Sequence, residues 1–298
     1  MKAHAGDVLL TAVAPVVWGS TYIVTTQFLP NFSPMIVAML RALPAGLLLL
    51  AIVRQLPAGG MLWLRVFILG ALNISIFLSM LFVAAYRLPG GVAGTVAAVQ
   101  PLFAVFLAKV LLSSPIRRAS IVAVLIGIAG VALLVLTPRA ALDPIGVAAG
   151  LAGAASMAVG NVLARKWQPS VSLLAFTAWQ LTAGGILLIP AVLLFAPPMP
   201  APTLINLGGL AWLALIGAAL TYVLWFRGVA RLESAVVSPL LFLSPLTAAV
   251  LGWVFLNQTL TRIQIAGIVF VVGSIWLSQR PARAARAPIS TTNLRSNP

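Results

Sequence analysis

Long apolar runs, separated by short stretches that contain Gly, Pro or Arg, fill the chain from residue 7 to residue 279. Each run has about 17 to 24 residues, enough for a helix rising about 1.5 Å per residue to cross a hydrocarbon layer of about 30 Å. The pattern predicts ten membrane-spanning helices. They cover residues 7–27, 34–53, 65–86, 92–112, 120–137, 145–165, 172–195, 207–227, 235–256 and 263–279.

Composition supports an all-α integral membrane protein in a lipid bilayer. Hydrophobic residues make up 62% of the chain, charged residues make up 7%, and the mean hydropathy is +1.13. A soluble domain of this length could not hide so much apolar surface in one core. The net charge of +15 does not indicate a nucleic-acid partner, because the basic residues are spread over loops and one tail.

The distribution of basic residues predicts the orientation of the chain. If the N-terminus is cytoplasmic, only Arg87, Arg139 and Arg262 among the loop and tail cations lie on the outer side. Cytoplasmic loops of membrane proteins carry an excess of Lys and Arg. The sequence therefore predicts a multi-pass protein of the inner (plasma) membrane with both termini in the cytoplasm.

Two segments of the chain recur in its second half. Residues 33–46 (SPMIVAMLRALPAG) align with 172–185 (SLLAFTAWQLTAGG) at an offset of 139, and residues 86–92 (YRLPGGV) align with 230–236 (ARLESAV) at an offset of 144. The five additional residues fall in the Pro-rich loop at 195–203. A unit with an odd number of spans ends on the side of the membrane opposite to its start, so its second copy has the inverted orientation. Inverted repeats of this kind are typical of alternating-access carriers.

The repeat divides the chain into three parts. Residues 1–137 form a first five-helix unit, residues 138–279 form a second, inverted unit, and residues 280–298 are predicted to be a disordered basic cytoplasmic tail. Pro101 of the first unit recurs as Pro245 of the second. We predict that each proline lies near the middle of its helix and acts as a hinge, although proline is also common in membrane helices without this role.

Chemistry-bearing side chains are scarce. The acids are Asp7, Asp143 and Glu233, all at predicted helix ends, the one histidine is His4, and there is no cysteine. Hydrolysis within the membrane would need an acid pair, a Ser with a base, or a metal at membrane depth, so we expect no enzymatic activity, cofactor or metal. Because proton-coupled carriers commonly titrate a buried acid or histidine, we expect an uncoupled facilitator.

Arg41 is the charge placed well inside a predicted span. Left unpaired in lipid it would be costly, so it must face the protein interior, water or helix-end carbonyls. Two interpretations stay open. Arg41 attracts an anionic group of a substrate, or it is a structural residue that reaches the interface or ties helix ends together.

Further polar and aromatic residues at membrane depth form the predicted substrate site. Amides that face lipid without partners are costly, so these side chains either bond neighbouring helices or line a cavity. Such a cavity would suit a small amphipathic solute with a planar or cationic group. The set is Trp18, Tyr22, Asn73, Phe77, Gln100, Phe103, Asn161, Gln180, Tyr222 and Ser244.

Four motifs stand in order along the first four predicted helices: residues 15–22 (PVVWGSTY) in the first, Arg41 in the second, residues 84–88 (AAYRL) closing the third, and Gln100-Pro101 in the fourth. In their order and spacing they resemble the ten-helix EamA-type exporters of the drug/metabolite transporter superfamily. The resemblance implies an exporter with duplicated halves that works by alternating access. The chain departs from the usual Leu-Gly-Glu after the ninth helix, where it has Leu-Asn-Gln at 256–258, so any role of that acid does not carry over.

Within this superfamily the chain resembles the YddG-type exporters of aromatic amino acids and some aromatic cationic toxicants. The resemblance implies a small aromatic metabolite as the substrate. Other interpretations are a proton- or cation-coupled multidrug efflux pump, a carrier of another metabolite, a channel, and a membrane scaffold subunit without a pathway of its own. The sequence does not fix the oligomeric state, and a monomer is compatible with it.

Overall fold

A computed structural model of the chain describes residues 2–88, 96–113, 118–135, 143–255 and 261–278. These residues form helices joined by short connections, and no strand occurs among them. The predicted tail at 280–298 lies outside the described residues. We number the helices α1 Lys2–Phe28, α2 Pro34–Val53, α3 Gly60–Arg87, α4 Gln100–Leu112, α5 Arg118–Val135, α6 Pro144–Lys166, α7 Leu173–Phe195, α8 Leu204–Arg231, α9 Ser234–Phe255 and α10 Arg262–Ser278.

Seven of these helices are long and apolar enough to cross a membrane, and α4, α5 and α10 are shorter apolar helices. Large apolar side chains point outward along them, including Leu193 at 78% exposure, Phe106 at 63% and Ile263 at 61%. Such a surface would be unstable in water and is suited to lipid tails. The fold is that of a multi-pass helical membrane protein.

Two π-helical segments interrupt long helices at related positions. Ala71–Ile76 lies within α3 and Trp212–Leu220 lies within α8. Shifted by the repeat offset of 144, the first segment falls on residues 215–220, inside the second. Segments of this kind free backbone groups from the regular ladder and are frequent at functional sites.

The two predicted hinge prolines occupy different positions in their helices. Pro101 stands in the first turn of α4, so the prediction that it lies near the middle of its helix is wrong. The first turn tolerates proline because its backbone N–H would have no intrahelical partner there. Pro245 lies inside α9, three residues after a 3₁₀ segment at Ser238–Phe242. Whether either proline acts as a hinge stays a prediction.

The helices pack in pairs that correspond between the two halves. The most extensive contacts join α2 to α7 and α5 to α10, which occupy equivalent places in their halves. Contacts of α1 with α8 and α9 are matched by contacts of α6 with α3 and α4. The largest apolar core draws on both halves, from Ala38 in α2 to Trp225 in α8. The halves therefore form one packed body rather than two separate bundles.

Ion pairs join the halves at both ends of the bundle. At one end the Asp7 carboxylate lies 2.5 Å from the Arg227 guanidinium and 3.5 Å from that of Arg231. At the other end the Asp143 carboxylate lies 3.4 Å from the Arg87 guanidinium. In each case the acid lies near the start of the first helix of one half, α1 or α6. The arginine lies in the last turns of the third helix of the other half, α8 or α3.

Candidate functional site

A cavity of about 80 Å³ lies between the two halves, large enough for several water molecules. Helices from both halves enclose it. The cavity contains seven of the predicted residues, drawn from α1, α2, α3, α4 and α9. These are Trp18, Tyr22, Arg41, Phe77, Gln100, Ser244 and Pro245.

The indole of Trp18 is fixed at one wall of the cavity. Its Nε1 donates to the carbonyl oxygen of Gly217 at 3.1 Å and to Oγ1 of Thr221 at 2.9 Å. Its ring centroid lies 5.3 Å from those of Tyr222 and Trp225 in tilted contacts. These bonds and contacts hold the Trp18 ring in one orientation, so the aromatic wall is preformed.

Arg41 enters the cavity from α2 and is 2% exposed. Its Nη2 donates to the carbonyl oxygen of Gly217 at 2.8 Å, and its Nη1 donates to Oγ1 of Thr21 at 3.2 Å. The Gly217 carbonyl belongs to the π-helical segment of α8 and also accepts from Thr221 Oγ1 at 2.8 Å. Arg41 therefore faces the protein interior. This orientation excludes the interpretation that its side chain reaches the membrane interface. A structural role and a substrate-binding role both stay open.

Asn73 and Gln180 bond to each other instead of lining this cavity. Nδ2 of Asn73 donates to Oε1 of Gln180 at 2.9 Å, and both side chains are 0% exposed. Nε2 of Gln180 also donates to the Phe176 carbonyl oxygen at 3.3 Å. This contact joins α3 to α7 and favours the helix-bonding role for both amides. Direct contact of either with a substrate stays a prediction.

The remaining predicted residues are not among the described residues that line the cavity. Asn161 lines a neighbouring space of about 20 Å³ together with Gln100, and its Oδ1 accepts from Trp225 Nε1 at 3.2 Å. Tyr222 is fully buried behind Trp18. Phe103 and Pro101 are not among the described residues that line either space.

Among the cavity residues that the sequence analysis did not select, two are polar and could have been found from the sequence. Thr21 and Thr25 line the cavity beside Trp18 and Tyr22. Together the four positions follow the i, i+3, i+4, i+7 spacing of a single helix face. Hydroxyl side chains are common in membrane helices, so neither threonine by itself indicates a cavity. The four residues together do, because they form one polar and aromatic face of α1.

No group of three or more acids or histidines that could hold a metal ion occurs among the described residues.

The apolar helices and the cavity between them define a membrane protein whose halves enclose a polar and aromatic space, as membrane transporters do. Residues 6–136 and 144–279 each match the EamA-like transporter family, and the chain belongs to that family. It is a family of membrane transporters rather than of enzymes.

Relatives support this assignment over most of their length. The chain is 45% identical to Protein PecM of Dickeya dadantii over 89% of the chain and 90% of that protein. It is 28% identical to the uncharacterized inner membrane transporter YedA of Escherichia coli over 92% of each protein. It is 26% identical to a probable amino-acid metabolite efflux pump of Salmonella typhimurium over 91% of the chain and 94% of the pump.

A solved crystal structure has the same fold. It superposes with a TM-score of 0.80, covering 92% of this chain and 96% of the other, at 19% sequence identity. At this identity the likeness concerns the fold alone.

Proposed function

We propose that this protein exports small aromatic metabolites, aromatic amino acids first among them, by alternating access through the cavity between its halves. The observation that carries the proposal is the cavity itself, to which the first half contributes aromatic rings and polar groups such as Trp18, Tyr22 and Gln100, and the second half contributes the Ser244 hydroxyl and apolar side chains. A planar solute fits between such walls. The name of the Salmonella relative, a probable amino-acid metabolite efflux pump, agrees with this substrate class.

In this proposal the chain crosses the inner (plasma) membrane ten times, in two inverted five-helix halves made of residues 1–137 and 138–279. Both termini lie in the cytoplasm. Three findings support it. The family matches the chain twice in succession, the π-helical segments occupy related positions, and the helix contacts recur in matched pairs. Inverted halves of this kind rock about a fixed site and expose it to each side in turn.

We further propose that transport is uncoupled and follows the substrate gradient. Among the described residues that line the cavity, the ionisable groups are the Arg41 guanidinium and the Tyr22 phenol, and none of these residues is an acid or a histidine. A proton-coupled carrier would need a group that titrates near neutral pH in the pathway. A pH gradient alone should therefore cause no accumulation of substrate in liposomes.

Counterflow tests the proposal directly. Purified protein is reconstituted into liposomes preloaded with unlabelled tryptophan, phenylalanine, threonine or methyl viologen, and uptake of the labelled counterpart is followed at equal pH inside and outside. We expect saturable exchange of the aromatic amino acids and little exchange of threonine. Preferential exchange of methyl viologen would favour a multidrug pump, and no exchange of any solute would contradict the proposal and favour a scaffold or another metabolite.

A further inference from the structure

We infer that Arg41 is the subsite for an anionic group of the transported solute, so that the substrate carries a carboxylate or a comparable oxyanion beside its aromatic body. The inference rests on the proposed function and narrows its substrate class. It replaces the broad set of planar or cationic solutes by aromatic acids and zwitterions.

Arg41 carries a charge that no acid of the described residues balances. The guanidinium is buried, and no carboxylate of the described residues lies within ion-pairing distance of it. Of the chain's three acids, Asp7 and Asp143 pair with other arginines at the ends of the bundle, and Glu233 immediately precedes the first turn of α9. A buried charge without a counter-charge is costly, and an anionic ligand would supply that counter-charge.

Three polar groups that line the cavity can donate hydrogen bonds but have no partner in the protein. Two nitrogens of the Arg41 guanidinium are engaged, but its Nε has no partner. Thr25 Oγ1 and Gln100 Nε2 also have none, and all three side chains line the same cavity from three different helices. A carboxylate offers only acceptors and forms its strongest hydrogen bonds with cationic donors. An ammonium group would bring further donors and a like charge.

The position of the second half that aligns with Arg41 holds a neutral residue. Gln180 corresponds to Arg41 at the offset of 139, and Asn73 corresponds to Gly217 at the offset of 144. The second-half side chain thus also bonds to a π-helical segment, but it accepts from the Asn73 side chain where Arg41 donates to a backbone carbonyl, and it does so as a neutral amide that does not line the cavity. An amide is therefore sufficient to link the helix to the π-helical segment, so the charge of Arg41 serves another purpose.

The aromatic wall places the rest of the ligand. Trp18, Tyr22 and Phe77 line the cavity together with Arg41. A ligand that binds Arg41 through its carboxylate would therefore have its ring beside these side chains, where apolar burial and ring contacts are favourable. Aromatic amines without a carboxylate gain the ring contacts but meet the uncompensated guanidinium.

The test compares three indole solutes that differ in charge. Counterflow of labelled tryptophan, indole-3-propionate and tryptamine is measured in liposomes of phosphatidylcholine, a lipid whose headgroup has no net charge. We expect the two acids to exchange about tenfold faster than tryptamine, since loss of a charge-assisted hydrogen-bonded pair costs at least this factor.

Variants separate the charge from the shape of the side chain. Arg41→Gln, which places the amide of the second half in the first, should reduce the preference for acids about tenfold, and Arg41→Lys should retain part of it. Arg262→Gln, the same change at an exposed arginine at the start of α10, a helix that contributes no residue to the cavity lining, should retain the full preference. The melting temperature of each variant in detergent shows whether it folds.

The outcomes distinguish the two claims. Tryptamine exchange as fast as tryptophan exchange in the unaltered protein would overturn the inference and leave the proposed function standing. An unchanged preference for acids in folded Arg41→Gln would also overturn it. If Arg41→Gln does not fold, the comparison of the three solutes in the unaltered protein and in Arg41→Lys decides. No exchange of any of the three would overturn the proposed function and this inference together.

Discussion

Polar side chains inside the bundle differ in whether the protein itself satisfies them. The Asn73 amide donates to Gln180 and the Trp225 indole donates to Asn161, so these groups join helices. Arg41, in contrast, retains an unpartnered donor beside open space. Burial of a polar group is tolerated when it is bonded and costly when it is not. Unpartnered atoms also occur away from the cavity, such as Oδ1 of Asn73 and the Tyr222 hydroxyl, so an unsatisfied group indicates a solute site only where it also lines open space.

The helix-bonding role of Gln180 can be tested by stability. Gln180→Leu removes the acceptor of the buried Asn73 Nδ2, and a buried donor without a partner costs about 1–3 kcal/mol. We expect a lower melting temperature in detergent. The double variant Asn73→Ala/Gln180→Leu should recover part of the loss because no amide is then left unpaired. A melting temperature equal to that of the unaltered protein in Gln180→Leu would contradict this role.

Asp143 gives a prediction about pH. Its carboxylate accepts from the Gly146 backbone N–H at 2.7 Å and lies beside Arg87, which together lower its pKa below the ordinary value of 3.8. For an acid with a lowered pKa, the contribution to stability is present above the unfolded pKa and lost as the pH falls through the folded one. Thermal stability should therefore fall below about pH 4, and less so in Asp143→Asn. Parallel pH curves for the two proteins would contradict the contribution.

At the scale of elements, close helix packing depends on glycines at equivalent positions in α2 and α7. A Cβ on Gly46 would collide with the Thr182 backbone nitrogen, and one on Gly185 would lie 2.7 Å from the Leu43 Cα. These obstacles are backbone atoms, so the helices themselves would have to separate. Small residues at helix interfaces in membranes allow this approach.

Gly46→Ala and Gly185→Ala should each lower the melting temperature in detergent, because overpacking typically costs about 1–3 kcal/mol. Gly273→Ala is the matched control, since a Cβ at Gly273 in α10 meets nothing within 4 Å. That variant should be as stable as the unaltered protein or slightly more so, given the better helix propensity of alanine. Equal melting temperatures for all three variants would contradict the tight α2–α7 contact.

The sequence predicts the elements better than their internal geometry. Apolar runs located the long spans closely; the residues 34–53 predicted for the second helix are those of α2. The π-helical and 3₁₀ segments and the place of Pro101 at the start of α4 had no local signal, because packing of neighbouring helices decides them.

The sequence predicts only part of the cavity lining, because it shows which residues share a helix face but not how the helices meet. Depth and helical spacing identified Trp18, Tyr22 and Gln100, whereas the pairing of Asn73 with Gln180 depends on how α3 meets α7. Residues on one helix face can be read from spacing. Contacts between helices far apart in sequence cannot, so the sequence could not separate the amides that bond helices from those that line the cavity.

At the scale of the whole molecule, the ion pairs at the two ends relate the halves to each other. Asp7 with Arg227 closes one end and Asp143 with Arg87 closes the other, each between the first helix of one half and the third helix of the other. In a rocking motion of the halves, opening at one end would separate its pair.

Neutralising one pair should favour opening at that end. Asp7→Asn is expected to increase access to the cavity from the side of the N-terminus, and Asp143→Asn from the opposite side. The chain has no cysteine, so one cysteine introduced at Ser244 in the cavity wall reports access through its labelling rate. Equal changes on both sides in both variants would contradict this assignment.

The most direct test of alternating access uses Ser244→Cys alone. Intact cells and inverted vesicles are treated with a membrane-impermeant thiol reagent, and Phe106→Cys, at a position 63% exposed on the outer face of α4, serves as the lipid-facing control. We predict that Cys at 244 is labelled from both sides, that excess tryptophan slows the labelling from each, and that the control stays unlabelled. Labelling of position 244 from one side alone, or at a rate that tryptophan does not change, would contradict a substrate cavity that opens alternately to the two sides.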